Sequence, residues 1–130
     1  MIDYEKELNP DQLHVVMEEK GPILVIAGAG SGKTRTLTYR VARLIETGVK
    51  PGRIVLATFT NKAARTMLSR VRVLIDCDLS SMWGGTFHHI AHLILRTNSH
   101  ILGYERNFSI LDTEDSAQLL NTCISEIGLD

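Results

Sequence analysis

The sequence predicts an α/β domain built on a parallel sheet with flanking helices, and three observations predict it. Two short apolar runs rich in β-branched residues, Ile23-Leu24-Val25-Ile26-Ala27 and Ile54-Val55-Leu56-Ala57-Thr58, start 31 residues apart. An amphipathic helix pattern lies between them. A glycine-rich turn joins the first run to that helix. Continuous apolar runs of this length read as strands buried on both faces, as in a parallel sheet. Their spacing is that of one βαβ unit, so the two runs are expected to be parallel with a right-handed crossover.

Composition agrees with one globular domain. The chain has 130 residues, of which 44% are hydrophobic and 22% charged. That much apolar surface offsets the entropy of ordering and excludes a disordered chain. The uncharged, largely apolar run Gly21 to Ser31 is short of the roughly 20 residues a membrane span needs. The acidic start Met1-Ile2-Asp3-Tyr4-Glu5-Lys6-Glu7 lacks the apolar core of a secretory signal. A cytoplasmic chain is expected. Cys77 and Cys123 form neither a disulfide framework nor a CxxC metal motif.

The elements follow in order. Asn9 can cap a helix that Pro10 starts, with Gln12 closing a capping box, and the helix runs to about Glu19. After the strand at 23–27 and the turn, a helix from Lys33 to about Thr47 sets Leu37, Val41 and Leu44 on one face, and Gly48 stops it. The loop Lys50-Pro51-Gly52-Arg53 leads to the strand at 54–58. Thr60 caps a helix from Asn61 to Ile75 with an apolar stripe of Ala64, Met67, Leu68, Val71 and Leu74. A third strand is expected within 82–87, then a helix from about His88 to Asn98. Beyond Gly103, Asp112 or Thr113 caps a last helix over Glu114–Ile127.

The turn Gly28-Ala29-Gly30-Ser31-Gly32-Lys33-Thr34, set between strand and helix, has the chemistry of a phosphate loop. Glycines allow backbone N–H groups to approach a triphosphate closely. The helix N-terminus adds about half a positive charge. Lys33 would reach the β- and γ-phosphates, and the Thr34 hydroxyl would hold Mg²⁺. Ala27 stands where the strict pattern has glycine. Arg35, a cation in the first helical turn, sits where the helix dipole disfavours it, which points to an anion nearby.

Charge is segregated. Residues 1–20 balance at −4, residues 21–75 at +9 and residues 76–130 at −6, within a net charge of −1. The basic block accords with an anionic partner. His88 and His92 share a helix face, but no third ligand stands near them, so a metal site is not expected there.

Four segments in order carry a resemblance. They are Leu8-Asn9-Pro10-Asp11-Gln12, Ala27 to Leu37, Thr58-Phe59-Thr60-Asn61-Lys62-Ala63-Ala64, and Gly85-Thr86-Phe87-His88. Together they closely resemble the N-terminal end of superfamily 1 DNA helicases of the UvrD, PcrA and Rep group, in which alanine at the place of Ala27 is usual. The resemblance implies a RecA-like P-loop NTPase domain over residues 1–104 and the start of an inserted helical subdomain over 105–130. It implies ATP and Mg²⁺ as cofactors, with Lys33 and Thr34 as the catalytic residues present. Gln12 would read adenine. Ala27, Gly28, Ala29, Gly30, Ser31, Gly32, Lys33, Thr34 and Arg35 would line the nucleotide. Phe59, Thr60, Asn61, Lys62, Thr86, Phe87 and His88 would meet DNA, the aromatic by stacking on a base.

The family's later Asp-Glu-x-Gln-Asp motif, which holds Mg²⁺ and activates water, does not occur in the chain. The chain is therefore expected to be an N-terminal fragment. The parent would be an ATP-dependent helicase moving 3′ to 5′ on single-stranded DNA and unwinding duplex. The fragment alone would bind ATP weakly and turn over little. The alternative is a P-loop nucleotide kinase or nucleotide-binding regulator that does not act on DNA.

Overall fold

The computed structural model describes residues 2–19 and 21–128. Two compact units divide the chain at residues 1–92 and 93–130. In the first, the order is α1 (Tyr4–Glu7), α2 (Pro10–Met17), α3 (Lys33–Glu46), β1 (Val55–Thr58), α4 (Asn61–Leu74), β2 (Trp83–Thr86) and the start of α5 (Phe87–Asn98). The second holds the rest of α5 and α6 (Thr113–Glu126).

The helix signals act as expected. Asn9 accepts from the Gln12 N–H at 2.9 Å, and the Asn9 N–H donates to Gln12 Oε1 at 3.3 Å, a complete capping box. Thr60 caps α4 through the Ala63 N–H at 3.1 Å. Asp112 caps α6 through the Asp115 N–H at 2.8 Å. Each cap satisfies one donor that a helix start leaves unpaired.

The sheet differs from expectation in one respect. Among the described residues it has two parallel strands, β1 and β2, registered with Val55 opposite Trp83 and Thr58 opposite Thr86. The βαβ unit is thus β1–α4–β2. The run at 23–27 forms no strand ladder and does not pair with 54–58. The physical reason is that a strand is held by a neighbouring strand, and no described segment makes a ladder with this one. Its side chains still alternate with period two. Ile23 and Val25 are 39% and 46% exposed, whereas Leu24 and Ile26 are 86% and 90% exposed. Ile23 and Val25 line a shallow cavity with Val15 and Leu37, so the inner face meets α2 and α3 while the outer face is open.

Two apolar clusters hold the first unit. Val41, Ile54, Leu56, Met67, Val71, Leu79 and Met82 pack the sheet against α3 and α4. Tyr4, Leu8, Val16 and Tyr39 pack α1 and α2 on α3. Gly84 makes the first cluster possible, because an added Cβ would stand 2.8 Å from Leu68 Cδ1 of α4. Arg40 closes α2 by donating from Nη1 to the carbonyls of Val15 at 2.6 Å and Glu18 at 2.7 Å, a favourable place for a cation. Tyr4 ties α1 to α3 by donating from its hydroxyl to Glu46 Oε2 at 2.7 Å.

The second unit is open. No described residue of α6 is buried. Arg96 donates to the Arg106 carbonyl and stacks over the Phe108 ring at 4.8 Å. Among the described residues no helix is long and apolar enough to cross a membrane.

Met67→Ala is expected to cost about 2–5 kcal/mol of stability through the cavity it leaves. The exposed Val73→Ala is expected to stay within about 0.5 kcal/mol. Urea denaturation of the two variants checks both. Burial, then the hydrogen bond to Glu46, raises the Tyr4 pKa above its ordinary value of about 10. Its contribution to stability is therefore complete below pH about 10 and is lost as pH climbs through the raised value. The urea midpoint should fall more steeply above pH about 10 in the wild type than in Tyr4→Phe.

Candidate nucleotide and nucleic-acid site

The glycine-rich loop expected to hold phosphate stands at the head of α3. Gly30 and Gly32 take left-handed backbone angles, φ 78° and 86°, which side chains disfavour. Ser31 folds the turn on itself, its Oγ donating to the Gly28 carbonyl at 2.8 Å. Gly32 precedes α3 and brings no side-chain cap, so no side chain competes for the first-turn N–H groups. Lys33 curls back over the loop, its Nζ donating to the carbonyls of Ala27 at 3.0 Å and Gly28 at 2.6 Å. An ammonium, glycine backbone and an uncapped helix start converge at one place, a donor set that suits a polyphosphate. The exposed Thr34 follows at the next position.

Gln12 reaches this loop from α2. Its Nε2 donates to the Ser31 carbonyl at 3.0 Å. A Cβ on Gly32 would stand 2.5 Å from that nitrogen, so only glycine lets the amide lie there. Gln12 is therefore a capping residue and a loop contact at once. The capping box fixes its amide orientation, with one acceptor lone pair and one N–H left over. A cavity of about 250 Å³ opens beside it, lined by Gln12, Val25, Ala27, Ser31, Lys33 and Thr36 among others.

Arg35 does have its anion, and that anion belongs to the protein. Its Nη2 pairs with Glu7 Oε2 at 2.5 Å, and Nη2 and Nε both donate to the Glu7 carbonyl, at 2.8 and 3.3 Å. The guanidinium lies 4.9 Å over the Tyr39 ring. Tyr39 also donates from its hydroxyl to Glu7 Oε2 at 2.8 Å. Burial, then this bond, raises the Tyr39 pKa. Neither Glu7 nor Tyr39 carries a sequence signal for this role, because the contacts join residues 28 and 32 positions apart.

The nucleic-acid candidates gather at the carboxyl ends of the two strands. Because Thr58 and Thr86 are register partners, the next residues, Phe59 and Phe87, emerge side by side. Their ring centroids are 5.6 Å apart with planes tilted by 59°. Phe59 is 91% exposed and Phe87 55% exposed, so neither ring serves the core. Thr60, Asn61, Lys62 and His88 flank the rings as exposed residues, with Thr86 half-buried. Thr86 Oγ1 accepts from the His89 N–H at 3.2 Å and starts α5. Among the described residues no group of three or more His, Cys, Asp or Glu could hold a metal ion.

The geometry defines an α/β domain with a glycine-rich loop at the head of one helix and an aromatic edge on its sheet. The chain belongs to the UvrD/REP helicase N-terminal domain family, whose model matches residues 8–130. It is 46% identical over 124 residues to an ATP-dependent DNA helicase PcrA of Bacillus subtilis, covering 95% of this chain and 17% of that protein. It is 43% identical over 125 residues to an ATP-dependent DNA helicase PcrA of Leuconostoc citreum, again covering 95% of this chain and 17% of the relative. A Staphylococcus aureus protein of the same name is 41% identical over 124 residues, with the same coverages. The chain thus spans about a sixth of the length of these relatives.

Proposed function

We propose that this chain is the nucleotide-binding N-terminal segment of an ATP-dependent DNA helicase, folded as part of a RecA-like P-loop domain over residues 1–104. Residues 105–130 begin an inserted helical subdomain, which accords with an α6 that buries none of its described residues. The exposed outer face of the run at 23–27 accords with a sheet completed by the rest of a longer, cytoplasmic protein. ATP lies on the loop Ala27–Thr34. Gln12 faces adenine, because its spare acceptor and spare N–H match the N6 donor and N7 acceptor of that base. Lys33 holds the β- and γ-phosphates. Thr34 supplies a hydroxyl for Mg²⁺, which neutralises phosphate charge when bound.

The observation that carries the DNA part is the exposed Phe59–Phe87 pair at the strand ends. A nucleotide kinase has no need of two solvent-facing rings there. Stacking on them tolerates any base sequence, as translocation along single-stranded DNA requires. Lys62, Asn61 and Thr60, at the start of α4, hold phosphate, and Thr86 and His88 lie on the same path. ATP binding and release would shift the closure of this domain on a second one and so move the DNA grip, 3′ to 5′ by family resemblance. The acidic pair that activates water comes from outside these 130 residues.

Two measurements test the reading. The full-length protein is expected to hydrolyse ATP in a DNA-stimulated manner, and Lys33→Ala to abolish it. The isolated chain is expected to show negligible turnover. DNA-stimulated phosphate release by the isolated chain would overturn the fragment reading. Phe59→Ala should leave the fold intact and weaken single-stranded DNA binding by about 1–3 kcal/mol, or about 5- to 150-fold. Fluorescence anisotropy at fixed salt reads that change, and wild-type affinity should fall with rising salt.

A further inference from the structure

We propose that Glu7 and Tyr39 are positioning residues that set Gln12 over the phosphate loop and thereby sharpen the choice of adenine. The inference rests on the nucleotide reading above and concerns two side chains outside it.

The segment Glu7–Gln12 is fastened to the head of α3 at two points. At one, Gln12 Nε2 bonds the Ser31 carbonyl at 3.0 Å. At the other, Arg35 grips the Glu7 carbonyl and carboxylate together. The two anchors lie five residues apart on one strand of chain and four apart on the other, so they close a small ring of backbone around the loop. The Gln12 anchor is a single neutral hydrogen bond from a partly exposed side chain, which holds little by itself. The Glu7 anchor is charge-assisted and forked, the geometry in which arginine restricts direction as well as distance. Tyr39 completes it. Its hydroxyl holds the same Glu7 oxygen at 2.8 Å, its ring supports the guanidinium face, and its burial in the α1–α2–α3 cluster fixes both.

The far end of α2 is held separately, by Arg40 on the Val15 and Glu18 carbonyls. Loss of the Glu7 carboxylate leaves the Arg35 bonds to the Glu7 carbonyl and the Leu8 packing in place, so the Gln12 end of α2 loosens while the helix stays docked. The loop lysine is unaffected, because Lys33 contacts Ala27 and Gly28 only within the loop. This separation gives a signature that general damage to the fold would not. Adenine offers a donor and an acceptor on the edge Gln12 would read, whereas guanine offers two acceptors. A loosened Gln12 loses that discrimination and leaves phosphate binding alone.

The test is isothermal titration of the purified full chain with ATP, GTP and inorganic triphosphate, each with Mg²⁺. Glu7→Ala and Tyr39→Phe should each narrow the ratio of ATP to GTP affinity by about fivefold, with triphosphate affinity unchanged. Tyr39→Phe keeps the buried ring, so it guards against a folding defect in either variant. In a Gln12→Ala background, neither change should narrow the ratio further. An unmoved ratio in both variants overturns the proposal, as does an equal loss for all three ligands. A wild type that binds none of the three overturns the nucleotide reading itself, and this proposal with it.

Discussion

Helix α3 must satisfy two cores at once, and the rest of the first unit is arranged around that demand. Val41 packs into the cluster beneath the sheet, while Tyr39 packs under α1 and α2. Ala42 is fully buried, which leaves room for close approach on that face and no room for a larger side chain. A helix held on both sides cannot tilt, so its first turn is a fixed platform. The loop before it is short and rich in glycine, and its geometry is inherited from that platform. Gln12, Arg35 and Lys33 find their partners because α3 does not move beneath them.

The basic block takes on a different meaning once its side chains are placed. Arg35 is matched by Glu7. Arg40 closes the carboxyl end of α2. Arg43 lies 5.9 Å over the Tyr4 ring. Three of its cations are thus spent on joining α1 and α2 to α3, and the acidic first twenty residues supply the Glu7 carboxylate that Arg35 grips. The segregation of charge along the chain is partly a record of which segments pack together. It speaks for an external anion only through cations such as Lys33 and Lys62, whose motifs give independent reason.

Much of this was legible in the residues alone. Asn9-Pro10-Asp11-Gln12 announces a capping box, and the box is there. Thr60 and Asp112 cap the helices they precede, since capping is a matter of three or four neighbouring residues. The run at 23–27 stands without a ladder for the opposite reason. An apolar run states that a segment can be covered on both faces, but its ladder partner lies elsewhere in sequence. Leu24 and Ile26 show the pattern without the pairing. The place of Phe59 beside Phe87 follows from the register of Thr58 with Thr86, which joins residues far apart in sequence. Glu7 and Tyr39 gave no sign at all, because their meeting depends on how two helices cross.

The spacing of the aromatic pair sets what it can do as a stacking surface. A base slotted between two parallel rings needs about twice the 3.4 Å rise of stacked nucleotides, and both rings must face it. Phe59 and Phe87 stand 5.6 Å apart and tilted by 59°, so no such slot exists between them. On the reading proposed, they form a bookend rather than a pincer. A strand of DNA would rest its terminal stack against the outer ring and be free to slide off it. Such a surface covers one face of a base and leaves the other open, so it adds stacking area without closing on the strand.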